Sequence, residues 1–261
     1  MRIGAKEPDL QYVSIKSLLR RVKRPRGGPI PGDCPAALRA AVLSFWSRKT
    51  MRVGLFVTCL ADLMRPSIGL AALKLLEQAG CEVVVPRSQT CCGQPGYNSG
   101  DRAAAQALAR KLVAEFSDCD YVVAPSGSCA GMIKTHYSEL LRETPDVQAK
   151  AEWLAARTWE LTDFLINVVH LDEVTARFDG TITYHDSCAG LREMGVKNQP
   201  RELLAKVHGL TIREMEGAEQ CCGFGGTFAI KYGEISARLA DLKCEDVEKV
   251  GADALVLGDL G

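Results

Sequence analysis

The chain has 261 residues, 47% of them apolar and 25% charged, enough for one large or two modest domains with sizeable cores. It contains no run of about 20 apolar residues and no charged, apolar, small-residue signal at the N-terminus. A membrane span and a secreted product are therefore not expected, and the reading is of a cytoplasmic protein. The 32 basic and 32 acidic residues balance overall, yet residues 1–50 carry 11 Lys/Arg against 3 Asp/Glu.

In chain order, the basic head comes first. Arg20, Arg21, Lys23, Arg24 and Arg26, followed by Gly27, Gly28, Pro29 and Pro31, would suit an arm for nucleic acid or an anionic surface. The reading adopted for 1–50 is blander: a disordered extension, or sequence upstream of a natural start at Met51, with no nucleic-acid partner. A β-branched run at 53–57 then predicts a strand, followed by Cys59, and apolar residues at three- and four-residue intervals predict a helix over 69–78. A second strand at 83–85 leads to Cys91 and Cys92, a helix over 101–116 follows, and a third strand at 121–124 leads to Cys129. Residues 151–180 read as a helical linker.

From 181 onward the order repeats. TITYHDSC ends on Cys188, LTIREMEGAEQCC ends on Cys221 and Cys222, a helix is predicted from 234 to about 250, and a strand at 254–257. Between Cys59 and Cys91 lie 31 residues, and between Cys188 and Cys221 lie 32; each Cys-Cys pair is followed by glycine, Gly93 and Gly223. The fold expected is α/β, with two tandem βαβ-type units of parallel strands, 51–150 and 181–261. Their cysteines lie in loops at the strands' C-terminal ends. Laying the last strand on 121–124 puts Gly261 opposite Ser128, so the second unit reads as truncated just before a partner of Cys129.

Parallel strands joined by right-handed crossovers send their following loops to one edge of the sheet, so each cysteine set is expected to converge in one crevice. Eleven cysteines in a cytoplasmic protein argue for metal or redox chemistry before disulfides. Gathered thiolates repel, and iron supplies the compensating charge. Zinc is the rival, but its structural sites favour Cys-x-x-Cys knuckles, and adjacent cysteines suit a multi-iron group better. The glycines after each pair allow backbone amides to approach such a group. His185, three residues before Cys188, is read either as an accessory group or as a structural one.

MRVGLFVTCLADLMRPSIG, QTCCGQPGYNSGD, HDSCAGLREMGV and QCCGFGGTFA resemble the cysteine-rich CCG-domain proteins, which include the cysteine-rich component of heterodisulfide reductase and the iron–sulfur subunit of glycolate oxidase. The match is nearest to the small stand-alone members of the lactate-utilization branch. The resemblance implies an electron-transfer component of a cytoplasmic oxidoreductase that turns L-lactate into pyruvate with other subunits, a ferredoxin-like iron–sulfur protein and a third protein. It also implies iron–sulfur clusters of the 4Fe-4S type on Cys59, Cys91, Cys92 and Cys129 and on Cys188, Cys221 and Cys222. A component of the glycolate oxidase or heterodisulfide reductase type is the alternative within the family. Met132 stands where the family often has a final cysteine.

Readings of other classes stay open at this point. Gly127-Ser128-Cys129-Ala130-Gly131 fits a nucleophile elbow, which would make Cys129 the nucleophile of a hydrolase. Adjacent cysteines could serve thiol–disulfide exchange, though in strained rings. A truncated second unit could leave an apo interaction subunit. Cys34, Cys81, Cys119 and Cys244 fall outside the repeated frame and are read as packing residues.

Overall fold

The computed structural model describes residues 50–260. The expectations that fall on 1–49, Cys34 and the cationic arm among them, and on Gly261 lie outside the described residues.

Among the described residues seven strands form two sheets. In the first, β1 (Arg52–Leu55), β2 (Glu82–Val84), β3 (Tyr121–Ala124) and β4 (Thr158–Glu160) lie in the order β2-β1-β3-β4. In the second, β5 (Arg177–His185), β6 (His208–Ile212) and β7 (Ala254–Leu257) lie in the order β6-β5-β7. Every pairing is parallel. The two-unit parallel α/β fold read from the sequence is the fold of the chain, with one addition: β4 lies within the stretch read as a helical linker. Three residues, Thr158-Trp159-Glu160, are too few to display a two-residue period, so only pairing with β3 reveals them.

The repeat holds at the level of register. Val53 stands opposite Val83 and Tyr121, and its counterpart Ile182 stands opposite Ile212 and Ala254. Both central strands lead into a capped helix. Thr58 Oγ1 accepts from Ala61 N–H at 3.4 Å to open α1 (Cys59–Met64), and Ser187 Oγ accepts from Gly190 N–H at 3.2 Å to open the helix Cys188–Arg192.

Helices cover both faces of the first sheet, which is why its strands are continuously apolar rather than alternating. On one face α2 (Pro66–Gln78), with proline in its first turn, buries Ala72 and Leu76 with Val53, Leu55 and Phe164. On the other, α3 (Gln94–Ser99) leads to α4 (Arg102–Glu115), capped by Asp101, which buries Ala105, Ala109, Leu112 and Val113 at helical spacing with Phe56, Phe116 and Tyr137. No helix among the described residues is long and apolar enough to cross a membrane.

The two copies meet where the loop after β3 opens a short helix, α5 (Gly127–Gly131). A Cβ on Gly127 would lie 2.6 Å from Gly190 Cα, so the backbones touch there. Beside this contact Asp259, in the loop after β7, accepts from Ser126 Oγ at 2.5 Å, Ser128 Oγ at 2.9 Å and Ser128 N–H at 3.1 Å. Gly127→Ala should therefore lower the urea midpoint by the equivalent of about 1–3 kcal/mol, the usual cost of overpacking. Gly233→Ala, which meets nothing within 4 Å and begins a helix, should leave the midpoint unchanged or slightly raised.

Candidate functional site

The first set of cysteines comes together from three loops. Cys59 begins α1 after β1, Cys91 and Cys92 precede α3 in the loop after β2, and Cys129 lies in α5 after β3. Cys59 contacts Cys91, Cys91 contacts Cys92, and Cys92 Sγ lies 3.6 Å from Cys129 Sγ. The second set repeats the first half of this chain of contacts: Cys188 contacts Cys221, with Cys222 beside them. Gly93 and Gly223 both sit in the left-handed region, at φ +87° and +89°. In each, this turns the amide back on the first cysteine of its pair, Gly93 N–H to Cys91 Sγ at 3.4 Å and Gly223 N–H to Cys221 Sγ at 3.3 Å.

The thiols of the first set do not share their protons evenly. The hydrogen bond from Cys92 lowers the pKa of Cys91 to about 5, with the Gly93 amide and the Cys59 thiol assisting against burial. Burial and the neighbouring Cys91 push Cys59 up to about 11, and Cys92, between Cys129 and Cys91, is raised as well. The second set differs in degree: burial, then Cys221, raises Cys188.

Several supporting residues were not legible as site residues. Thr58, at φ +76° and ψ 147°, holds a conformation that β-branched residues rarely take, directly before Cys59. Tyr137 Oη, fully buried, donates to Cys92 O at 2.7 Å and fixes that peptide. Lys243, 6% exposed, donates its Nζ proton to Gly217 O in the loop that leads to Cys221. His185, singled out in the sequence, is 2% exposed, and its Nδ1 lies 3.0 Å from Ala218 O. It is thus tied to the same loop, and burial lowers its pKa.

The remaining cysteines stand apart from both sets: Cys81 and Cys119 are buried in the core, and Cys244 is exposed on a helix. The elbow reading of Cys129 finds no geometric support. Its sulfur is buried against another thiol, and the positive-φ non-glycine residues are Thr58 and His170 among the described ones. All ten described cysteines are free thiols.

Among the described residues no three His, Cys, Asp or Glu side chains close around one point as they would around a single metal ion. A continuous line of soft sulfur donors with amides turned toward it fits in chemistry a polynuclear iron–sulfur group, whose several irons can each take a different sulfur.

A cavity of about 430 Å³ is walled by residues of both copies, among them Leu75, Leu203 and Val256, and no cysteine lines it. Glu160, 5% exposed, faces it while its Oε2 accepts from the amides of Thr162 and Asp163. Burial raises the Glu160 carboxyl from its ordinary 4.5 to about 7. The stability that neutral Glu160 confers is complete below pH 4.5 and is lost as the pH rises through about 7. Glu160→Gln should therefore match the parent at pH 4.5 and be more stable at pH 8, by an amount on the order of 3 kcal/mol in urea titrations.

These features define a duplicated cysteine-rich α/β fold; the profile of the Cysteine-rich domain family, CCG, matches residues 53–134 and 182–261, and the chain belongs to that family. Its relatives include the lactate utilization protein A of Geobacillus thermodenitrificans, 48% identical over 211 residues, covering 81% of this chain and 88% of that protein. The protein of the same name from Bacillus subtilis is 44% identical over the same shares of each chain. Among solved structures, a hypothetical protein from Helicobacter pylori superposes with a TM-score of 0.57 at 15% identity, over 80% of this chain and 41% of that one, a likeness of fold.

In the metal-free protein, iodoacetamide at pH 7 should modify Cys91 before Cys59, as read by peptide mass spectrometry. Cys92→Ala, which removes the donating thiol, should slow that modification several-fold.

Proposed function

We propose that this chain is the iron–sulfur, electron-carrying component of a system that oxidises L-lactate to pyruvate. The observation that carries this reading is the pair of matching sulfur arrangements, each with a Cys-Cys-Gly turn whose glycine amide is bonded to the first sulfur. The lactate assignment is taken from the names of relatives at 44% and 48% identity.

In this reading Cys59, Cys91, Cys92 and Cys129 hold one cluster, of the 4Fe-4S type, and Cys188, Cys221 and Cys222 contribute to a second. Such a group, when bound, takes up and gives back single electrons without making or breaking a bond to substrate. The chain's own residues do the rest. The Gly93 and Gly223 amides steady the first sulfur of each pair, Tyr137 anchors the Cys92 carbonyl, and Thr58 and Ser187 hold the helices that present Cys59 and Cys188. In this reading the substrate chemistry belongs to partner subunits, a ferredoxin-like iron–sulfur protein and a third protein, in an assembly within the cytoplasm.

Anaerobic purification followed by iron and acid-labile sulfide assays tests the proposal. Both elements should be present, and Cys91→Ala with Cys92→Ala should remove the first site's share while Cys81→Ala and Cys244→Ala keep the parent content. Colourless protein lacking both elements after anaerobic reconstitution would refute it.

A further inference from the structure

The repeat allows the walls of the two sulfur sites to be compared position by position. A Cβ on Gly93 would meet Ala105 and Leu108, and one on Gly223 would meet Ser236 and Leu239. The helix α4 and the helix Gly233–Val250 therefore pack on their glycine turns at equivalent residues, 131 positions apart. Carried on by one turn, that equivalence sets Lys243 on Leu112. Leu112 is 3% exposed and packs with Phe56 and Cys92 in the first copy's core, and Lys243 is 6% exposed. By the strand register Phe56 corresponds in the same way to His185. Where the first site is walled by hydrocarbon, the second has a buried ammonium and an imidazole.

That ammonium has no ion-pair partner among the described residues. Among the described residues no carboxylate lies within ion-pair distance of Lys243, and Asp246, one turn on, is paired instead with Lys249 at 3.2 Å. Among those residues the hydrogen bond of Lys243 goes to a neutral carbonyl, Gly217 O. Burial disfavours a cation so placed unless a negative group faces it. The negative groups within its field are Asp246 first, at more than ion-pair distance, and then the sulfurs Cys222, Cys221 and Cys188.

We propose that Lys243 is the positioning residue that makes the two sulfur sites unequal: its buried charge would favour the reduced state of a group held by Cys188, Cys221 and Cys222 over that of a group held at the first site, with no proton or bond moved. This inference rests on the iron–sulfur reading above. Lys243 acts on the group through space and need not touch it.

The test uses the full chain, reconstituted anaerobically, with iron and sulfide measured first and the midpoint potentials then taken by redox titration with electron paramagnetic resonance detection. The Cys91→Ala, Cys92→Ala double variant assigns the second site's midpoint. Lys243→Met with full iron should lower that midpoint by at least about 59 mV, a tenfold change for a one-electron couple, and leave the first site's midpoint in place. Lys243→Arg, which keeps the charge, should restore it. If Lys243→Met loses the second site's iron and Lys243→Arg retains it, a charge requirement is equally supported. Full iron with both midpoints unmoved would overturn the role of Lys243 and leave the iron–sulfur reading intact, as would loss of iron in both variants, the mark of a purely structural residue. A parent protein without iron would overturn both.

Discussion

Sulfur atoms from loops far apart in the chain can meet only if those loops leave the sheet in the same direction, and the parallel pairing of the strands imposes that direction. Each of β1, β2 and β3 delivers its following loop to one edge, and the cysteines lie in the loops and helix starts that follow the strands there. An antiparallel pairing would send every second loop to the opposite edge. The helices that cover the sheet are needed because parallel strands are apolar on both faces. The packing of α2 and α4, the caps at Thr58, Asp101 and Ser187, and the glycine turns follow from that one choice of strand direction.

Much of this was legible in the sequence. β2, β3 and β7 lie within a residue of the runs read for them, because a short apolar run bounded by turn residues marks a buried strand, whereas β5 begins at Arg177, four residues before the run that opens at Thr181. The cysteine frame survived because equal spacing between equal motifs reports equal structure. What escaped detection depends on tertiary contact. β4 is too short to carry a pattern, and Asp259 reads as an ordinary turn residue until Ser126 and Ser128 are brought to it. The burial of Lys243 was hidden because a lysine in a polar helix reads as surface. Extending the alignment of the two helices past the glycine turns would have set it on Leu112 and exposed the anomaly.

The two copies share a backbone plan and differ in what surrounds it. The first is enclosed on both faces by a large core. In the second, an 18-residue helix buries one side chain, Lys243, where its counterpart α4 buries four. Repeated geometry with altered surroundings is how a duplicated scaffold can be made unequal: three of the four donor positions are presented twice, in different electrostatic settings.

The approach of Gly127 to Gly190 bears on how such a pair can change over time. Because the two backbones meet without an intervening side chain, neither half can drift in the curvature of its own loop without displacing the other. The two copies are thereby bound into one mechanical unit: a backbone change at the seam is shared by both, whereas a side-chain difference at the walls, Phe56 against His185 or Leu112 against Lys243, stays within one copy.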